Sequence, residues 1–146
     1  GFMDEVQCQN FVLSSDRQND ADILAMNGTG AALMASPLPF LGPIASVRVG
    51  RIDGEFVPLP TNEELEESEL DLIVSGTEEE VAMIEGFARE LPEDVMADAI
   101  TFAHGVIREI IALQRELAEK LNVEKMEFVA PEDDGLVEFV LVFERA

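Results

Sequence analysis

Tryptophan and tyrosine are absent from this 146-residue chain, cysteine and histidine occur once each, and nine basic side chains stand against 31 acidic ones. Each scarcity excludes something. The lone Cys8 forms no internal disulfide and no multi-thiolate metal site. Only phenylalanine, histidine and arginine remain to stack on bases. Nucleic-acid binding is driven largely by Lys and Arg displacing condensed counterions, so a formal charge of −22 predicts that this segment alone is repelled by DNA and RNA. No run reaches the roughly 18 apolar residues of a membrane-crossing helix. No basic stretch leads into an apolar one as in a secretory leader. A reducing, cytoplasmic setting with no membrane partner is expected, and the initial Gly1 suggests a piece of a longer chain.

What is present argues for a folded unit. Hydrophobic residues make up 47% of the chain, whereas disorder needs high charge together with low hydrophobicity. The length predicts one domain with a real core.

Residues 1–13 alternate in a mostly strand-like way through Val6, Cys8, Phe11 and Leu13. Ile23 to Met34 suggests a helix over about 20–35, capped by Asn19 or Asp20 and interrupted by Gly28 and Gly30. Each glycine costs roughly 1 kcal/mol against alanine, which makes sense if another backbone packs closely there. Asp53-Gly54 sits between two apolar runs, so 44–58 reads as a β-hairpin. Thr61 and Glu64 fit a capping box opening a short helix, and Leu70 to Val74 returns to strand composition. Residues 78–91 satisfy helical and alternating spacing alike, so strand and helix both stay open. The clearest element is a helix over 92–121, with Pro92 at its first position and Asn122 to stop it. Its apolar stripe runs Met96, Ala99, Ile100, Ala103, Val106, Ile107, Ile110, Leu113, Leu117, Leu121. Beyond Pro131 lies a linker-like stretch, then an apolar run from Leu136 to Phe143 that is an aggregation hazard unless paired.

Candidate chemistry is sparse. Gly28-Thr29-Gly30 lacks the third glycine of a dinucleotide fingerprint and no strand leads into it, so close helix packing is expected. His104 flanks the apolar stripe with no nucleophile placed to use it, and reads as a helix-edge histidine. The glutamate runs 63–69 and 78–80 lack the spacing of a calcium loop and read as solvated surface. Asp16, Asp20, Asp22 and Asp71 lie at the ends of apolar elements, where a cleft would be built, although sequence alone does not bring them together.

The order of several segments closely resembles polynucleotide phosphorylase. These are Asn19-Asp20-Ala21-Asp22-Ile23-Leu24-Ala25-Met26, Gly30-Ala31-Ala32-Leu33, Pro39-Phe40-Leu41-Gly42-Pro43-Ile44, the stretch Val47 to Val57, and Leu65 to Leu72. The likeness covers residues 1 to about 121 and not the apolar tail. It implies an α+β fold: an RNase PH-like core half-domain, a mixed sheet with packed helices, followed by a long helix. Residues 1–91 would be the latter part of the first, non-catalytic RNase PH-type core domain. Residues 92–124 would be the leading helix of the all-helical linker domain, and 125–146 a linker and tail.

The resemblance also implies a function. The family is a 3′→5′ phosphorolytic exoribonuclease that degrades RNA to nucleoside diphosphates, uses Mg²⁺ and inorganic phosphate, and forms a trimer around a channel for single-stranded RNA. Catalysis belongs to its second core domain, where a serine-rich loop holds phosphate and an Asp-x-Lys motif supports the metal and the transition state. Here the serine loop falls on Asn19-Asp20-Ala21-Asp22, and Asp-x-Lys falls on Asp71-Leu72-Ile73, so the lysine is lost. A second catalytic aspartate corresponds to Leu65. Phosphate beside two extra carboxylates meets like-charge repulsion of several kcal/mol in a partly dry cleft.

Asp20, Asp22 and Asp71 are thus expected to mark a vestigial pocket, with no catalytic, cofactor-binding or metal-binding residue and no bound Mg²⁺ or phosphate. The family's arginine loops that line the RNA channel would lie upstream of Gly1. The implied partners are the remainder of the same enzyme and its trimer mates, with single-stranded RNA for the parent but not for this segment. The alternative is an acidic protein-interaction module that shares the fold, and an autonomous metal-dependent hydrolase stands third.

Overall fold

Alternation and turn chemistry set the sheet. In a computed structural model, which describes residues 4–129, β1 (Ala45–Ile52) and β2 (Glu55–Pro58) form an antiparallel hairpin. Its turn places Asp53 and Gly54 at φ 50° and 85°, the left-handed pair that suits the twist of the flanking strands. Thr61 then caps α2 (Asn62–Glu67), with the reciprocal Thr61–Glu64 capping box in place. That pairing holds the Glu64 carboxyl below its ordinary range, because the Thr61 backbone N–H and hydroxyl both donate to its charged form.

β3 (Leu70–Gly76) and β4 (Val81–Ala88) complete a sheet ordered β2-β1-β3-β4. Residues left open between helix and strand are therefore strand over Val81–Ala88. Every pairing is antiparallel, so the sheet is not mixed as expected, although the α+β class holds. Short connections explain this for β1–β2 and β3–β4, since neighbouring parallel strands need a crossover of a dozen or more residues.

Two other expectations fail. Among the described residues, 4–21 contain no strand, because alternation makes a strand only where a partner supplies the ladder. Helix α1 (Asp22–Ala35) begins behind Ala21, and neither Asn19 nor Asp20 caps it. Asn19 instead donates to the Leu59 and Pro60 carbonyls, and Asp20 faces Arg48.

The long helix α3 (Glu93–Leu121) starts one residue later than expected. Pro92 is its cap, with ψ 151°, rather than its first turn. Asn122 stops it in the left-handed conformation, as its position suggests. Ala99, Ala103, Ile107 and Ile111 of α3 pack on Ala45, Val47 and Val49 of β1 and on Leu70, Leu72 and Val74 of β3. The buried row then passes through Gln114, leaving Leu113, Leu117 and Leu121 exposed. At about 100° per residue, Gln114 comes round to within about 20° of Ile107, whereas Leu113 lies about 120° away from it. Because α3 supplies part of this core, the expected boundary at 91/92 runs through one packed unit.

α1 lies against both α3 and β1. At Gly30 the approach is closest: a Cβ there would stand 2.4 Å from the Ile44 carbonyl and 3.0 Å from the Gln114 amide. Close packing thus explains Gly30 but not Gly28, which faces open space. After α3 the chain returns to α1. The Lys125 ammonium donates to the Leu33, Met34 and Ser36 carbonyls at 2.7–3.0 Å, satisfying groups that a helix end leaves bare. The apolar run 136–143 lies outside the described residues.

Candidate functional site

The site begins with strand parity. On β1, Val47 and Val49 face α3, so Ser46, Arg48 and Gly50 face the other way. Arg48 is opposite Ile73 on β3, and Gly50 is opposite Asp71. The Arg48 guanidinium therefore points across the sheet toward Asp71 and toward the chain entering α1.

Three of the four aspartates singled out above converge on it. Nη1 donates to Asp20 Oδ2 at 3.2 Å and Nη2 to Asp22 Oδ2 at 2.9 Å. Nε lies 3.4 Å from Asp71 Oδ1 without hydrogen-bond geometry, so Asp71 acts through charge alone. The Arg48 side chain is 14% exposed, against 60%, 41% and 39% for Asp20, Asp22 and Asp71. Asp16 stays out, accepting the Gln18 amide in a local turn.

One guanidinium among three carboxylates leaves a formal excess of two negative charges. The adjoining cleft, about 210 Å³, is lined by Asn19, Asp20, Asp22, Ile23, Leu24, Arg48, Leu59 and Pro60. Leu59 has a φ of 53°, rare for a bulky side chain, and its amide donates to the Arg48 carbonyl at 2.8 Å. Leu65 does not line the cleft.

The expectation that this cleft lacks a cation needs correction. Position 73 is isoleucine, yet its cross-strand neighbour Arg48 brings a positive charge into the same space. Sequence spacing hides this, because Arg48 lies 28 and 26 residues from Asp20 and Asp22. Strand parity at 44–50 was the available signal: a charged side chain opposite a buried Val47/Val49 row needs partners.

A second unforeseen contact belongs to Asn27. β2 pairs with β1 only from Val49 onward, so Ser46 has no strand partner on that side. The Asn27 side chain replaces one, donating to the Ser46 carbonyl at 2.9 Å and accepting its amide at 2.8 Å. Beneath it the Ser46 and Ser75 hydroxyls share a buried hydrogen bond of 2.6 Å.

His104 stands at the helix edge, its Nε2 3.1 Å from the Thr77 carbonyl. Cys8 is exposed on a different segment. Among the described residues, no three His, Cys, Asp or Glu side chains form a metal-binding group, and no helix is long and apolar enough to cross a membrane.

Comparison with known proteins bears on this geometry directly. Residues 42–106 match the 3′ exoribonuclease family, domain 2. A polyribonucleotide nucleotidyltransferase of Rhodopirellula baltica is 59% identical over 138 residues, 94% of this chain and 18% of that protein. Proteins of the same name from Methylacidiphilum infernorum and a Geobacter species are 46% and 44% identical over 92% and 90% of this chain, and 19% of each of them. The chain thus spans about a fifth of the length of the curated relatives it matches. Along about nine-tenths of its length, the chain is a relative of the polyribonucleotide nucleotidyltransferases, as its segment order indicates.

Proposed function

We propose that this chain is the scaffold segment of a phosphorolytic 3′→5′ exoribonuclease, the latter part of its non-catalytic first core domain, with α3 leading toward the helical linker. It would hold the catalytic domain and contribute trimer contacts in the cytoplasm. The parent would degrade single-stranded RNA, and this segment would not.

The observation that carries the reading is the occupancy of Arg48. Phosphoryl transfer is catalysed mainly by cations and metal placed around developing negative charge. Here the pocket's one guanidinium already faces Asp20, Asp22 and Asp71. An incoming phosphate would meet a net negative surface. Mg²⁺ fits no better, since a divalent ion among these oxygens would sit beside the guanidinium they serve. Neither group therefore enters a step here.

The mechanism left to these residues is mechanical. Arg48 joins the entry of α1 to β1 and β3, and Asn27 closes the open edge of β1. Both hold the sheet face on which a partner domain would rest. The test is release of ADP from poly(A) with inorganic phosphate by the 146-residue chain. Background rates are expected; turnover abolished by Asp71→Ala would overturn the reading.

A further inference from the structure

The order β2-β1-β3-β4 leaves the outer edge of β4 without a strand partner among the described residues. A register shift at Ser75/Gly76 confines the irregularity to the start of β4, so Met83–Ala88 is a regular edge about 20 Å long. Natural edges are blunted by charged side chains, lysine above all, by proline, by bulges or by a covering element, and here Glu85 is the one charge within Met83–Ala88. Met83–Ala88 contains neither lysine nor proline, and it shows Ile84 at 50% and Phe87 at 83% exposure.

Its charge is one-sided. Residues 78–90 carry five glutamates and one arginine. Arg89 turns its guanidinium to the Glu66 carbonyl, so it faces α2 instead of the edge. Glu78 pairs with Arg115, which leaves Glu79, Glu80, Glu85 and Glu90 for a newcomer.

We propose that this edge is a docking surface for a basic, extended segment of another protein, which adds as a fifth strand beside β4. Backbone hydrogen bonds would supply much of the affinity. The glutamates would select lysine- or arginine-bearing segments, and Phe87 would take an apolar side chain. The same charge disfavours the other occupants. A second copy would oppose one acidic edge with another. The chain's own run 136–143 is preceded by Glu132, Asp133 and Asp134 and followed by Glu144. RNA is a polyanion. The proposal goes beyond the scaffold role and stands independently of it.

The test is hydrogen exchange on the 146-residue chain with a seven-residue peptide alternating lysine and valine. Alternate amides within Met83–Ala88 should exchange roughly tenfold more slowly at saturation, while those of β1 stay unchanged. Raising the salt concentration should weaken binding, and the double variant Glu79→Lys/Glu85→Lys should weaken it roughly fivefold. Absence of protection, or equal protection by a matching peptide with glutamate in place of lysine, overturns the proposal. So does protection that rises with protein concentration without peptide, which would assign the edge to a second copy. Faster β4 exchange in a chain ending at Val129 would assign the edge to the chain's own tail and overturns the proposal as well.

Discussion

The two faces of the sheet are held by different physics. Toward α3, Val47, Val49, Val74, Ala103 and Ile107 are fully buried, and contact is apolar throughout. On the opposite face, Ser46 meets Ser75, Arg48 meets three aspartates, and Phe87 stands largely in solvent. The first face is filled over β1 and β3, with Ile84 of β4, opposite Val74, half-exposed at its rim. The second is closed by charge and amide pairing at its α1 end and left open at its β4 end. Stability should therefore reside on the α3 side, and contact with other molecules on the other.

Substitutions graded across that divide test it. Ile107→Ala, on the closed face, should cost the most, about 2–5 kcal/mol in urea unfolding, through lost apolar burial plus a cavity. A smaller loss would mean the apolar face is looser than the packing indicates. Arg48→Met comes next, at roughly 1–3 kcal/mol. It leaves three aspartates facing one another, but their exposure keeps the cost below the roughly 3–5 kcal/mol of a fully buried pair. Added salt should recover part of this loss and none of the Ile107→Ala loss. Asn27→Leu should cost about 1–2 kcal/mol by stripping the Ser46 amide and carbonyl of their partner, with faster exchange of the Ser46 amide as its mark.

The smallest effect belongs to the capping box. The Glu64 carboxyl titrates below its unfolded range, so its contribution is present above that range and lost as pH falls through the lower, folded value. The stability gap between the native chain and Glu64→Ala should hold at neutral pH and shrink in acid.

Legibility in the sequence followed distance along the chain. The Asp53-Gly54 hairpin, the Thr61–Glu64 box and the stop at Asn122 were readable because each is decided within a few residues. The sheet's edge at β4 was not, since Val81 and Phe87 fit both periods, with Ile84 on the helical one and Met83 on the alternating one, until β3 supplies a ladder. Residues 4–13 failed in the opposite sense: their alternation is real, and no partner strand lies beside them among the described residues. At the candidate site, Asp20, Asp22 and Asp71 could be named from segment order, whereas Arg48 joins them only through cross-strand register. The pairing role of Asn27 was not legible, because a side chain standing in for a strand leaves no periodic trace.

The central claim is that the Arg48 charge is already spent on the chain's own aspartates. A phosphorus NMR titration of the native chain with inorganic phosphate at millimolar concentration and low salt asks this directly. No saturable shift or broadening is predicted. Saturable binding that disappears in Arg48→Met would contradict the account.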